Sequence, residues 1–197
     1  MAKRRKVGNL LALAVLSALM ERPMHPYEMA SVLRERGKDQ DMRIKWGSLY
    51  TVVGNLEKHG LVAATESVRQ GGRPERTVYR LTDAGRAELV DWVSELLATP
   101  EPEQPRFAAA LSVMATLPPA EATRLLRERL ATLRAELISD EQALAGTARQ
   151  VPRLFLVEDE YALAMRRAEA DWLAALVDEL TAGTFPGLDG WQRFHSG

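Results

Sequence analysis

Arginine side chains cluster around a pair of glycines in the first half of the chain. Arg69 and Arg73 flank Gly71 and Gly72, and Arg76 follows three residues after Arg73. A Gly-rich turn favours a tight hairpin tip, and a hydrophobic core does not accommodate several guanidinium groups. Arginines at an exposed tip are suited to contacting phosphates or a minor groove. We therefore predict a nucleic-acid contact at Arg69, Arg73 and Arg76, against the alternative that they are only solvated.

A predicted helix between Gly47 and Gly60 supplies a second set of polar groups. Its apolar face consists of Leu49, Val52, Val53 and Leu56. Its opposite face carries Thr51, Gly54, Asn55 and Lys58, with Tyr50 on the flank. Asparagine can pair with adenine, lysine can reach guanine or phosphate, and glycine permits close approach. We predict groove contacts by Tyr50, Thr51, Asn55 and Lys58, although Tyr50 could instead be half buried.

The elements that must position these groups follow from start and stop signals. Helices are predicted over residues 7–22, 26–36 and 47–60, because proline or glycine stands at or just beyond the end of each. Strands are predicted over 62–68 and 76–81, on either side of the glycines. Thr82 is expected to cap a helix that reaches Ala98. The order helix, strand, basic tip and strand is that of a recognition helix followed by a wing.

Charge is divided unevenly along the chain, which has 197 residues, 46% of them hydrophobic, and a formal net charge of −1. Residues 1–95 contain 16 Lys and Arg against 12 Asp and Glu, a net of 16 − 12 = +4, whereas residues 96–197 contain 10 against 15, a net of 10 − 15 = −5. The net positive charge of the first half favours binding to a polyanion such as nucleic acid. Its first residues, Lys3–Lys6 (the basic arm), are either a DNA-contacting arm or a solvated terminus.

The second half is predicted to be helical and separate. Residues 99–105 contain three prolines and read as a linker. Helices follow over about 106–116, 118–145 and 152–182. Residues 183–197 look like an irregular tail, although Phe185, Trp191 and Phe194 indicate that it packs somewhere. Two rows have the 4, 3, 4 spacing of coiled coils: Leu126, Leu130, Leu133 and Leu137, and Tyr161, Met165, Ala168 and Trp172. The rows form either a dimer seam or an intramolecular helical hairpin.

Three motifs carry a family resemblance. HPYEM (25–29), GSLYTVVGNLEKHGLV (47–62) and GRPERTVYRLTDAGRAEL (72–89) occur in the order found in the PadR family of bacterial transcriptional regulators, which this chain resembles. The resemblance implies a winged helix-turn-helix, a dimerising C-terminal helical part and, usually, repression. The family often has Gly where Pro26 stands and Pro where Thr51 stands, so an operator preference is not carried over.

These observations define the predicted architecture and function. We expect a mainly α fold with a β wing: a winged helix-turn-helix DNA-binding domain over residues 1–98, a linker over 99–105, a helical dimerisation domain over 106–182 and the tail. The expected function is a cytoplasmic, dimeric repressor that binds a roughly palindromic double-stranded operator and is released by a small-molecule signal. The alternative is a winged-helix module that docks a protein and lacks sequence-specific DNA binding.

A ligand pocket is a further expectation, since the resemblance implies that some members respond to small aromatic compounds. Its candidate residues are Trp92, Tyr161, Met165 and Trp172, which could equally be core or dimer interface. We expect no enzyme activity, because no nucleophile motif or phosphate-binding loop occurs. Neither a cofactor nor a metal is expected, because no ligand spacing is completed around the histidines, and His25 is predicted to cap a helix instead.

Overall fold

The chain divides into two compact units, Met1–Pro102 and Glu103–Gly197, with the boundary inside the predicted linker. The computed structural model describes residues 5–38, 42, 46–68, 76–100 and 106–196. Each unit has its own apolar core. Within the described ranges, no helix combines the length and apolar character needed to span a membrane.

The first unit has the winged helix-turn-helix order of elements. They are α1 (Leu10–Ala18), α2 (Pro26–Glu35), a 3-10 turn (Trp46–Ser48), α3 (Leu49–Lys58), β1 (Val62–Val68), β2 (Arg76–Leu81) and α4 (Asp83–Ala98). The predicted bounds of both strands and of α4 are confirmed. Helix α1 begins later than predicted because the Asn9 side chain accepts the N–H of Ala12 at 2.8 Å and caps the first turn there, and it ends at Ala18, before the predicted residue 22.

Helix α1 is the centre of this unit. Six consecutive residues, from Leu11 to Leu16, are buried, which is why its sequence is apolar without a polar face. It packs against α2, α3 and α4. The apolar face of α3, predicted from spacing, is buried as expected: Leu49, Val52, Val53 and Leu56 all belong to the core.

The two strands form an antiparallel hairpin whose base is joined to the start of the helix-turn-helix. Val62 pairs with Leu81 and Thr65 with Val78, and the register shifts between Thr65 and Val68. Met24, just before α2, pairs with Tyr79 through two backbone hydrogen bonds of 3.0 Å. The base of the wing is therefore fixed to α2 as well as to the core.

The start of α4 joins the end of α3 to the wing. The Thr82 hydroxyl accepts the N–H of Gly85 at 3.0 Å and lies 2.7 Å from the carbonyl oxygen of Gly60, to which it donates. A Cβ at Gly85 would lie only 1.9 Å from the carbonyl oxygen of Leu61. Because a backbone atom cannot move out of the way cheaply, this close approach requires glycine.

The second unit is a helical hairpin with a helix at each end. Its elements are α5 (Arg106–Ser112), a 3-10 turn (Met114–Thr116), α6 (Pro119–Thr147), a 3-10 turn (Arg153–Phe155), α7 (Val157–Ala182) and α8 (Leu188–Phe194). The leucine row of α6 is buried against Ala170, Leu173, Val177 and Leu180 of α7. For this row the intramolecular hairpin is therefore correct. Arg129 of α6 also donates to Glu169 of α7 at 2.8 Å across the hairpin.

The prediction of an irregular tail was wrong, because residues 188–194 form α8. Gly183 (φ 75°) ends α7 and Gly187 (φ 85°) immediately precedes α8. Leu188 is buried in the core of the second unit. The indole N–H of Trp191 donates to the carbonyl oxygen of Leu117 at 2.8 Å. These contacts hold the helix in place, and they confirm that the tail packs, as Phe185 and Trp191 indicated.

Candidate nucleic-acid interface

Helix α3 presents a continuous polar face to solvent. Tyr50, Thr51, Gly54, Asn55 and Lys58 are all exposed, with 65% of Tyr50 accessible. Half burial of Tyr50 is thereby excluded. Lys58 has no ion-pair partner within the described part of the chain. The face thus offers an amide, a hydroxyl, a phenol and an ammonium group without a competing carboxylate bound to the lysine.

The ends of α3 are fixed by contacts of their own. Before α3, the Arg34 guanidinium of α2 lies 4.5 Å from the ring centroid of Trp46, which attaches the 3-10 turn to α2. After α3, Gly60 adopts φ 70°, a conformation that favours glycine and turns the chain into β1. The His59 ring lies 2.7 Å from the carbonyl oxygen of Asn55 through Nδ1. The polar face is consequently held at both ends of the helix.

His25 caps α2, as predicted. Its Nδ1 accepts the N–H of Tyr27 at 3.1 Å, while its own N–H donates to Oε2 of Glu28 at 2.9 Å. Its ring also lies 6.4 Å from the Tyr50 ring, centroid to centroid, with the planes inclined at 68°. The sequence offered a signal for the cap, in the spacing of His25 and Glu28, but none for the ring contact to α3.

The arginines of the predicted wing tip are not among the described residues, with one partial exception. Arg69 and Arg73 lie outside them, and Arg76 is described only as the first backbone position of β2. Arg80, further along β2, is exposed. The contact predicted at Arg69, Arg73 and Arg76 therefore stays a prediction.

The basic arm is neither free nor simply solvated at Arg5. The Arg5 side chain is 4% exposed and donates to Glu88 at 2.6 Å, to Asp91 at 3.1 Å and to Glu95, all on α4. Its guanidinium carbon also lies 5.2 Å from the Trp92 ring centroid. Burial alone would lower the pKa of this guanidinium, but the hydrogen bonds to the three carboxylates raise it above its ordinary value.

Arg5 is thus bound to α4 and is not available to DNA, which corrects both readings of the basic arm for this residue. A sequence signal existed. Glu88, Asp91 and Glu95 are spaced 3 and 4 apart and so share one helix face, where they can receive a cation. Lys3 and Arg4 lie outside the described residues.

The residues predicted to line a ligand pocket fall in different units. Trp92 is buried in the core of the first unit. Tyr161, Met165 and Trp172 share one face of α7 in the second unit, and each is at least 49% exposed. Trp172 makes an edge contact with Phe107 of α5, with the ring centroids 6.4 Å apart. Tyr161, Met165 and Trp172 of α7 are therefore not part of the core that the described residues form.

Comparison with known proteins agrees with this architecture. The sequence profile of the "Transcriptional regulator PadR-like family" matches residues 15–91. The Mycobacterium tuberculosis protein named "Probable transcriptional regulator Rv1176c" is 34% identical over 107 residues, which span about half of each chain, 52% in both cases. The Bacillus subtilis "Negative transcriptional regulator PadR" is 27% identical over 129 residues, 66% of this chain and 70% of that protein.

Solved structures extend the similarity beyond the first unit. Bacillus subtilis PadR in complex with operator DNA matches with a TM-score of 0.71 at 22% identity, covering 87% of this chain and 99% of that one. The same protein in complex with p-coumaric acid gives a TM-score of 0.72 at 21% identity, covering 88% and 99%. The fold is that of a winged-helix regulator with a helical C-terminal part. In sequence the chain is similar to the PadR-like family of transcriptional regulators over residues 15–91, and both relatives are named as transcriptional regulators.

Gly54 offers a test of the exposed face. A Cβ there would meet nothing within 4 Å, so Gly54→Ala should stabilise the free protein by about 0.5–1 kcal/mol through helix propensity. The same methyl group should weaken DNA binding if the backbone of α3 approaches a groove closely. Chemical denaturation and DNA titration measure the two effects. Gly146→Ala, on α6 and equally unobstructed, is the control. Stabilisation by Gly54→Ala with undiminished DNA affinity would contradict close approach of α3.

Proposed function

We propose that this regulator binds double-stranded DNA sequence-specifically by inserting the polar face of α3 into the major groove. The observation that carries the proposal is the division of α3 into a face buried in the core and an exposed face of Tyr50, Thr51, Asn55 and Lys58. Asn55 is suited to reading adenine, and Lys58 to contacting guanine or phosphate. Arg69, Arg73 and Arg76 are proposed as phosphate or minor-groove contacts of the wing.

The comparisons with known proteins support DNA binding by this chain. A structure of Bacillus subtilis PadR contains operator DNA, and the fold of this chain is similar to it. That relative is named a negative regulator, and we infer repression for this chain as well.

We also propose that the second unit forms a homodimer through the exposed face of α7. The apolar residues of that face are Val157, Tyr161, Met165 and Trp172, each at least 49% accessible. An exposed apolar row of this kind is typical of an interaction site. In a two-fold dimer the two copies of α3 would enter successive major grooves about 34 Å apart, which is why we expect a roughly palindromic operator.

A small aromatic ligand is the proposed signal that releases the DNA. Bacillus subtilis PadR has been solved with p-coumaric acid, and the α7 row of this chain offers aromatic and Met side chains to a planar ring. Trp92, which is buried beneath Arg5 in the core of the first unit, is a further proposed ligand contact. Such a ligand would act by favouring one separation of the two recognition helices over another.

A protein-docking role is the competing function, and salt separates the two. DNA binding releases counterions, so log affinity should fall linearly with log salt, by about 0.9 for each phosphate neutralised. A mainly apolar docking surface would lack this dependence. The distinction needs only the wild-type protein and a duplex.

Substitutions in α3 should separate base reading from phosphate contact. We expect Asn55→Ala to cost about 1–3 kcal/mol of binding free energy and to relax preference at particular base pairs. Lys58→Ala should weaken binding and, if Lys58 contacts phosphate, reduce the salt slope by about 1. Fluorescence anisotropy at several salt concentrations measures both. Arg149→Ala, an exposed cation of the second unit, is the control. Wild-type affinity in both α3 variants would exclude this face.

A charge placed in the α7 row should dissociate the proposed dimer. Met165→Glu would bury a carboxylate in an apolar interface, which is costly without a partner. Analytical ultracentrifugation of the full-length protein should therefore show a dimer for the wild type and a shift towards monomer for Met165→Glu. Arg149→Glu, at an exposed position after α6, should leave the dimer intact. A monomeric wild type at micromolar concentration would refute the dimer.

Tryptophan fluorescence tests the proposed signal. Titration with planar phenolic acids should quench the wild type, and operator DNA should weaken ligand binding about 5–150-fold, the range of a ~1–3 kcal/mol coupling. Trp172→Phe should remove most of the quenching if the ligand lies against α7, whereas Trp191→Phe should not. Equal ligand affinity with and without DNA would rule out regulation. An absence of quenching by any compound would leave the α7 row as interface alone.

A further inference from the structure

The first helix of the helix-turn-helix contacts the recognition helix on its solvent side, through two rings. The His25 and Tyr50 centroids are 6.4 Å apart and their planes are inclined at 68°. This geometry lies within the range of favourable edge-to-face aromatic pairs. The remaining contacts of α2 with the core are made by apolar side chains such as Met29 and Ala30. The ring contact is therefore separate from the core that anchors α3.

The orientation of the His25 ring is fixed by the cap of α2, independently of its contact with Tyr50. Its Nδ1 accepts the N–H of Tyr27, and the backbone N–H of His25 donates to Glu28. Because Nδ1 is the acceptor, the neutral ring carries its proton on Nε2. Pro26 sets the backbone dihedral of the first helical position, which further restricts the start of α2. His25 is thus a ring of defined orientation at the edge of the exposed face.

Among the described residues, Tyr50 has no further ring contact or hydrogen bond through its side chain. It is 65% exposed and occupies the second position of α3, on the flank of the polar face. A side chain this exposed normally samples several rotamers, and ordering one on binding costs about 2- to 12-fold in affinity. A fixed ring beside it reduces the number of rotamers in the free protein. The ring contact therefore reduces the entropy that Tyr50 loses on binding, even though the contact lies outside the core.

We propose that His25 is a positioning residue for DNA recognition: its ring holds Tyr50 of α3 in the orientation that enters the groove, and His25 itself does not contact DNA. The inference rests on the proposed function of the α3 face. It assigns His25 two separable roles, since Nδ1 caps α2 while the ring face and edge restrain Tyr50. Two substitutions can divide these roles.

His25→Asn keeps a good helix cap and removes the ring, whereas His25→Phe keeps a ring and removes the cap acceptor. The DNA probe is the duplex that the full-length wild type enriches from a random-sequence library. His25→Asn should retain the wild-type melting temperature and lose about 2- to 12-fold in affinity, with an unchanged salt slope because no phosphate contact is lost. His25→Phe should melt at a lower temperature and retain more of the affinity than His25→Asn.

A double-mutant cycle with Tyr50→Ala gives the decisive result. If His25 acts through Tyr50, His25→Asn should have no further effect on affinity in the Tyr50→Ala background. An equal loss in both backgrounds would mean that His25 contacts DNA itself, and wild-type affinity in His25→Asn would mean that the ring contact is irrelevant; either result overturns the proposal. A wild type that enriches no duplex overturns the proposed function first, and that failure is recognised before any variant is tested.

Discussion

Burial of one face of α3 is the constraint on which the other features depend. Leu49, Val52, Val53 and Leu56 enter the core around α1, and each buried side chain contributes about 1.5–3 kcal/mol relative to exposure. A 3.6-residue period then forces Thr51, Gly54, Asn55 and Lys58 to the opposite side. The helix is too short to be stable alone, so its exposed polar face is oriented only while the core holds the helix.

The rest of the first unit fixes that face in relation to the wing. Thr82 and Gly85 bring the start of α4 against the turn after α3, and the Met24–Tyr79 bridge joins the wing base to α2. Arg5 forms ion pairs with the carboxylates of Glu88 and Asp91 on α4. These backbone hydrogen bonds, the close contact at Gly85 and the Arg5 ion pairs all lie within the first unit. Together they fix the orientation of the exposed face of α3.

Local signals explain what could be predicted from the sequence. Both strands and α4 were found because glycines and the Thr82 cap mark their ends, and the α3 face was found because its apolar spacing is regular. Contacts between distant residues were not predictable in this way. The aromatic residues of the tail indicated that it packs, but neither the partner of Trp191, the carbonyl oxygen of Leu117, nor the formation of α8 was predicted. The ring contact of His25 with Tyr50 depends on how α2 crosses α3, which spacing alone does not specify.

A map of where DNA touches the full-length protein would show whether α3 is the surface that recognises DNA. Backbone amide NMR shifts recorded with and without the enriched duplex would give this map residue by residue. We expect the largest changes to cluster at Tyr50, Thr51, Asn55 and Lys58 of α3, with smaller changes in the second unit. Large changes confined to α6 and α7, with α3 unchanged, would contradict this expectation.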